Sequence, residues 1–234
     1  DWIANQAHHL PVFVQFNYFL IKFSSSKIIY FVHGVLLALC ALYLFLISKS
    51  LFPKLEIRNL SIIWFALFTI LFHENSFFSG VAGQSVIDVG YQPASFGILF
   101  FIGIYYFLIK KYFLCILFIC LSASFHPTYI LHSGFLVLGI LTYFILSKNY
   151  QNFLKILILY SMLILPITLF IFINFLMIDE NLISLGQEIL LDRIPHHANI
   201  RYWLSYKDLF FLITYFYALY IIRNNKRFFI FFLI

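Results

Sequence analysis

Charged residues are scarce in this sequence, and their scarcity argues against a soluble fold. Asp, Glu, Lys and Arg together make up 10% of the 234 residues, whereas a typical soluble domain carries about 25%. Glycine, proline and cysteine are also few, at 9, 6 and 3. The three cysteines all lie in apolar runs, which favours packed thiols over disulfides or metal ligands. No glycine-rich nucleotide-binding loop, His-Glu-x-x-His zinc motif or ordered Ser, His and Asp set is present.

Apolar and aromatic residues are abundant instead. Hydrophobic residues make up 63% of the chain, Phe occurs 32 times, and the mean hydropathy is +0.97. A membrane-spanning helix needs roughly 20 apolar residues, and these runs lack the alternation that would indicate strands. The sequence therefore predicts an all-α, polytopic transmembrane helix bundle of about seven spans plus a truncated eighth. The predicted spans are 28–48, 59–72, 94–109, 112–125, 127–146, 155–177 and 208–222, with the eighth starting at Phe228.

The ends of the chain suggest a piece of a longer protein. The chain starts at Asp1 rather than Met, and it stops at Ile234 within an apolar run that is too short to span a membrane. We therefore expect residues 1–234 to form a single transmembrane domain that is a fragment of the natural protein.

The loops between the predicted spans fall into two chemical kinds. One kind is basic and holds ten of the 15 Lys and Arg residues beside a single acid, Glu56. The other kind, with the adjoining span ends, holds the remaining acids and all eight histidines. Basic loops stay in the cytoplasm, so the pattern predicts an integral membrane protein whose His- and acid-rich loops face out, with no nucleic-acid partner. The basic loops are 49–58, 110–111, 147–155 and 223–227.

The outer face carries further features. Segments 10–23 and 178–207 interleave apolar and polar residues, which predicts interfacial helices. Asp1 lies ahead of the first predicted span, where a carboxylate could act as a base or help to hold a divalent metal. The alternative for Asp1 is a solvated loop acid.

The turn between the fourth and fifth predicted spans carries the second candidate group. His126, Tyr129, His132 and Ser133 are spaced so that they share one side of a helix at its outer end. A polar stripe at membrane depth normally faces a cavity or a partner helix. We expect it to bind substrate, and the alternative is hydrogen bonding between helices.

The late outer loop carries the third candidate group. Its residues are Arg193, His196, His197, Arg201 and Trp203. Two arginines that flank a histidine pair suit an anionic phosphate better than a cation, and Trp203 could stack on a sugar or anchor the interface. Adjacent histidines point about 100° apart on a helix, so a metal site would need ligands from other loops. A structural loop is the remaining alternative.

Several of these motifs together resemble a known family type. They are Tyr91–Gly97, the Lys110-Lys111 pair, the Ser124-Phe125-His126-Pro127 turn and the Arg-x-Pro-His-His stretch at Arg193–His197. This set resembles uncharacterised bacterial multi-pass proteins that share the domain of unknown function 6798, which implies a bacterial inner-membrane location. An outer acid before a span, short paired helices, the Phe-His-Pro turn and a late outer loop resemble the GT-C superfamily, whose members are multi-pass glycosyltransferases.

The resemblance implies a substrate and roles for individual residues. GT-C enzymes use polyprenyl-phosphate sugars, so the implied partners are membrane lipid and a lipid-linked sugar phosphate. Asp1 would take the catalytic acid position of the first outer loop, although its usual acidic neighbour is replaced by Trp2. Arg193 and Arg201 would hold the lipid phosphate, and the histidines would line the site.

Three functions remain open from the sequence. The first is a GT-C-like membrane glycosyltransferase, or a non-catalytic relative, that acts on a lipid-linked sugar phosphate at the outer face. The second is a transporter or flippase for a lipid-linked or anionic solute, although the chain has no inverted repeat and its polar residues cluster at one face. The third is an assembly or scaffold subunit of the membrane. No cofactor is certain, and a divalent metal and the oligomeric state stay open.

Overall fold

All regular elements of the described chain are helical, as the composition predicts. The computed structural model describes residues 11–73, 91–126, 128–173, 184, 188 and 206–223. Within these ranges the α-helices are α1 (Pro11–Phe23), α2 (Ile28–Leu51), α3 (Ile57–His73), α4 (Ile98–Leu108), α5 (Tyr112–Phe125), α6 (Tyr129–Leu146), α7 (Tyr150–Ile171) and α8 (Tyr206–Ile222). A short 3-10 helix, Pro93–Gly97, leads into α4.

Three helices in the described ranges, α2, α6 and α7, are long and apolar enough to cross a membrane. The longest, α2, has 24 residues and is about 36 Å long at 1.5 Å per residue. Only 6% of the most apolar window of α7 is buried inside the protein. Because so much apolar surface stays uncovered by protein, these helices indicate a membrane protein. The larger count of about seven spans stays a prediction.

Helix α5 lies at the centre of the described bundle. It packs against α4, α6 and α7, while α4 also packs against α2. Side chains that are fully buried along these contacts include Phe107, Ile116, Ile119, Ile140 and Phe144. A close approach lies at Gly103 of α4, where an added Cβ would lie 2.9 Å from Cγ1 of Ile119 and 3.1 Å from the carbonyl oxygen of Cys115. The absence of a side chain at Gly103 therefore allows α4 and α5 to pack this closely.

The chain reverses direction between successive packed helices, so the bundle has two chemically different ends. At one end, which we call the histidine end, lie the starts of α2, α4 and α6 and the end of α5. At the opposite end, the lysine end, lie the ends of α2, α4 and α6 and the starts of α5 and α7. Lys49, Lys110, Lys111 and Lys148 all belong to the lysine end.

Both tight turns at the lysine end place a lysine in left-handed backbone. After α4, Lys110 has φ 65°, and after α6, Lys148 has φ 54°. In the first turn the Lys111 amide donates to the Tyr106 carbonyl at 2.9 Å. In the second, the Asn149 amide donates to the Phe144 carbonyl at 2.9 Å. These are two Schellman caps, in which glycine is the usual left-handed residue.

The observed helix bounds agree with some predicted spans and shift others. A helix has the predicted bounds 112–125, and Pro11–Phe23 forms a helix within the predicted segment 10–23. That the first of these spans the membrane, and that the second lies at the interface, stay predictions. Span 94–109 is divided, because the side chains of Gln92 and Ser95 form a capping box that closes a 3-10 turn before α4. Span 155–177 begins earlier, at Tyr150, because the Asn149 side chain caps α7 by accepting from the Asn152 amide.

Candidate functional site at the histidine end

Four of the candidate residues lie in the described part of the chain. They are His126, Tyr129, His132 and Ser133, which lie in or just before the first turns of α6 at the histidine end. The other six lie outside the described residues: Asp1, Arg193, His196, His197, Arg201 and Trp203.

A sharp turn brings His126 to the tip of the α5–α6 hairpin. Helix α5 ends at Phe125, and His126 has extended backbone, with φ −140° and ψ 128°. Extended backbone is expected here because a following proline disfavours helical geometry in the residue before it. The Tyr129 amide then donates to the His126 carbonyl at 3.0 Å, and α6 begins.

The hydrogen bonds around His126 fix its tautomer. Its Nδ1 accepts from the Thr128 amide at 3.3 Å and lies 2.7 Å from the Thr128 hydroxyl. A backbone amide can only donate, so Nδ1 carries no proton and the neutral ring has its proton on Nε2. Burial lowers the pKa of His126, and the nearby His132 lowers it further. His126 is therefore a neutral imidazole that can donate from Nε2.

His132 has the opposite tautomer. Its Nδ1 is 2.9 Å from the Thr128 carbonyl oxygen, which can only accept, so Nδ1 carries the proton. The neutral ring then has a free electron pair on Nε2. His132 is exposed, one helical turn from Thr128. Together the two imidazoles offer one donor and one acceptor at the same end of the bundle.

The Tyr129 ring contacts both imidazoles. Its centroid is 5.0 Å from that of His126 and 5.7 Å from that of His132. The Tyr129 hydroxyl donates to the Ala94 carbonyl at 2.6 Å, and the ring meets Phe100 edge to face at 5.2 Å. Tyr129 is thus buried and already hydrogen-bonded, so it positions the two histidines against the 3-10 turn.

Stacked aromatic rings next to the turn support this arrangement. Phe96 of the 3-10 turn stacks on Phe125, the last residue of α5, with ring centroids 3.7 Å apart. The Ser122 hydroxyl donates to the Phe96 carbonyl at 3.0 Å. These contacts tie the end of α5 to the turn before α4 and so fix the position of the neighbouring His126.

Ser133 takes a different role from the rest of its predicted stripe. Its hydroxyl is buried and lies 3.0 Å from the Tyr160 hydroxyl on α7. It also donates to the Ile130 carbonyl at 2.7 Å. Ser133 therefore joins α6 to α7, whereas His126 and His132 remain accessible.

His33 is a further histidine of interest, and it belongs to none of the candidate groups that the sequence predicted. His33 lies in α2 with 8% of its surface exposed, and among the described residues its Nε2 has no hydrogen-bond partner. Its ring is 6.1 Å from that of Tyr91, whose hydroxyl donates to Asn17 at 2.9 Å. Burial raises the pKa of Tyr91 to about 12, against the opposing effect of the Asn17 hydrogen bond. The signal for His33 was available, because it is the only histidine within the 28–48 run.

The described residues offer no ready metal site. In these ranges, no three His, Cys, Asp or Glu side chains come together as potential ligands. A metal site that includes Asp1 or the His196-His197 pair would lie outside them. The arrangement at the histidine end is instead suited to hydrogen bonding with a neutral, hydroxyl-bearing group. No family model, curated protein or solved structure matches the chain, so its likeness to GT-C proteins stays a prediction from its motifs.

Proposed function

We propose that this protein lies in the bacterial inner membrane with its histidine end outward and binds the head group of a lipid-linked sugar phosphate there. It would act as a GT-C-like glycosyltransferase or as a non-catalytic relative of one. The observation that carries the proposal is the pair of imidazoles held by Thr128, one offering a donor and the other an acceptor, at the end of membrane-length helices.

The chemistry of a sugar fits this pair. Each sugar hydroxyl can donate and accept, so it can bond to Nε2–H of His126 and to Nε2 of His132. Both rings can do this while neutral, whereas a site for phosphate alone would favour permanent cations. A sugar is therefore a better match to the described residues than a free anion.

The surface beside His132 suits the lipid chain. Leu131, Phe135 and Leu138 are exposed by 64%, 52% and 50%, and their spacing along α6 places them on one face. A polyprenyl chain could lie along this apolar stripe while its head group reaches the histidines. Arg193 and Arg201 would hold the phosphate that joins the sugar to the polyprenyl chain. Asp1 would act as the base, as the sequence resemblance implies.

A binding titration with a short-chain polyprenyl-phosphate hexose tests the proposal. The wild type should bind it saturably. His126→Asn and His132→Leu should each weaken binding by about 0.5–1.5 kcal/mol, the size of a neutral hydrogen bond, and Arg193→Ala by about 1.5–3 kcal/mol. Ser61→Ala is the control, because that exposed hydroxyl donates to its own helix, to the Ile57 carbonyl. Affinity that is equal in all four variants would refute the site.

Transport is the second candidate, and His33 is the observation that favours it. A buried, unpartnered polar group in a membrane-length helix is costly and often marks a solute pathway. If the protein moves its lipid across the bilayer, His33→Leu should abolish flipping in proteoliposomes while binding at the histidine end persists. Unchanged flipping in the His33→Leu variant would show that His33 has no role in transport. If the protein neither binds nor flips a lipid-linked sugar, a scaffold function is the remaining candidate.

A further inference from the structure

The lysine end carries a group of exposed cations. Lys110, Lys111 and Lys148 are all exposed. No salt bridge joins them to any other residue in the described ranges. Two of them, Lys110 and Lys148, occupy the left-handed positions of the Schellman caps, where glycine would fit with less conformational cost. The chain thus places positive charge at two positions where the backbone alone would favour glycine.

An aromatic cluster brings the two lysine turns together. Phe107, which precedes the first turn, lies 5.6 Å from Tyr143 and 6.4 Å from Phe144, both of which precede the second. Tyr112, which follows the first turn, meets Phe144 at 5.0 Å. Because these rings are packed between the α4–α5 and α6–α7 hairpins, the two turns lie beside each other. The three lysines therefore form one basic surface.

The side chains next to this basic surface are apolar and exposed. Phe113 and Leu146 are each 61% exposed, and Ile145 is 46% exposed. Tyr112 and Tyr143 lie beside them, and tyrosine is enriched where a membrane meets water. A ligand that fits such a surface has an anionic group for the lysines and hydrocarbon for the neighbouring helix faces. A water-soluble phosphate has the anionic group but no hydrocarbon for the helix faces.

We propose that the surface formed by Lys110, Lys111 and Lys148 is a binding site for an anionic phospholipid of the leaflet on that side. The phosphate lies between the two Schellman turns, and the acyl chains run over Phe113 and Leu146. Basic pockets between transmembrane helices are suited to such head groups, and each lysine near the surface contributes about a fivefold gain in affinity (~1 kcal/mol). The site is separate from the histidine end, so it stands whether or not a sugar lipid binds there.

Native mass spectrometry of the full chain in nonionic detergent tests this site. Dioleoyl phosphatidylglycerol should bind more tightly than dioleoyl phosphatidylcholine, and glycerol phosphate should bind far more weakly. The double variant Lys110→Gly/Lys148→Gly should lose about 25-fold in phosphatidylglycerol affinity, from two factors of about five. Glycine also relieves both left-handed residues, so this variant should unfold no more easily than the wild type.

Two further variants separate a site from general charge. Lys110→Arg/Lys148→Arg keeps both charges and should retain binding. Lys22→Gln/Lys27→Gln removes two charges near the histidine end and should change phosphatidylglycerol affinity less than twofold. Equal losses in the Gly and Gln doubles, or no preference of the wild type for the anionic lipid, would overturn the proposal.

Discussion

The imidazole of His126 is held in one protonation state by its neighbours. Its Nδ1 accepts from the Thr128 amide, and a proton on Nδ1 would break that bond. Burial and His132 both lower the pKa of His126 below its ordinary value of 6.5. Each effect favours the neutral ring in the folded protein. The Thr128 turn therefore stabilises the form of His126 that can hydrogen-bond to a neutral ligand.

A pH dependence of stability follows from the lowered pKa. The unfolded chain takes up a proton on His126 more readily than the folded protein does, so acidification favours unfolding. The stabilising contribution of neutral His126 should be complete above 6.5 and lost as pH falls through the lower folded pKa. Thermal unfolding in mild detergent between about pH 7 and about pH 5 measures this.

His126→Asn is the matched variant, because Asn can accept from the Thr128 amide but does not titrate. The melting temperature of the wild type should fall more steeply with acidification than that of the variant. Parallel slopes would mean that His126 titrates with its ordinary pKa, and the assigned hydrogen bonds would then be wrong.

Sequence spacing predicted part of this site. The helix period correctly brought Tyr129 and His132 together on α6. His126 lies in the extended turn before that helix, where contacts with Thr128 hold it beside them. The same period could not show that the Ser133 hydroxyl meets Tyr160, because that partner lies on another helix. Nor could it show that the Tyr129 hydroxyl is already hydrogen-bonded to the Ala94 carbonyl. Contacts between distant segments depend on packing, which a single sequence does not specify.

Among the helices, Gly103 allows the close contact between α4 and α5. Gly103→Ala would place a methyl group 2.9 Å from Ile119 and 3.1 Å from the Cys115 carbonyl, and backbone on one side cannot move aside cheaply. We expect a loss of about 1–3 kcal/mol from overpacking, measured as a lower melting temperature.

Gly34→Ala provides the matched control in α2, where no atom of the described residues lies within 4 Å of an added Cβ. Alanine is the better helix former by about 1 kcal/mol, so this change should be neutral or stabilising. If both variants melted at the wild-type temperature, α4 and α5 would be farther apart at Gly103 than the 2.9 Å and 3.1 Å distances require.

Helix bounds were predictable where apolar runs ended in polar residues. Lys111 before α5 and His126 after it define a segment that the sequence delimits by itself. The start of α7 was not predictable from hydropathy, because Asn149 caps a first turn that is still polar. Side-chain capping also divided the 94–109 run. Local hydrogen bonds, rather than apolar content, thus determined the bounds that shifted.

At the scale of the whole molecule, the two ends should lie on opposite sides of the membrane. Ser26 lies in the exposed turn before α2 at the histidine end, and Ser147 in the exposed turn after α6 at the lysine end. The native cysteines are buried, so they should not react. In intact cells a membrane-impermeant maleimide should label Ser26→Cys, and it should label Ser147→Cys only after permeabilisation. Labelling of both from outside would contradict the topology.

Photocrosslinking can locate the residues of the histidine end that a lipid-linked sugar contacts. The probe is a polyprenyl-phosphate hexose with a diazirine on the sugar, irradiated with the purified protein in lipid nanodiscs and followed by peptide mapping. We expect adducts around His126 and His132 that unlabelled lipid competes away, and none around Lys148. Adducts that appear only at the lysine end, or that resist competition, would exclude sugar binding at the histidine end.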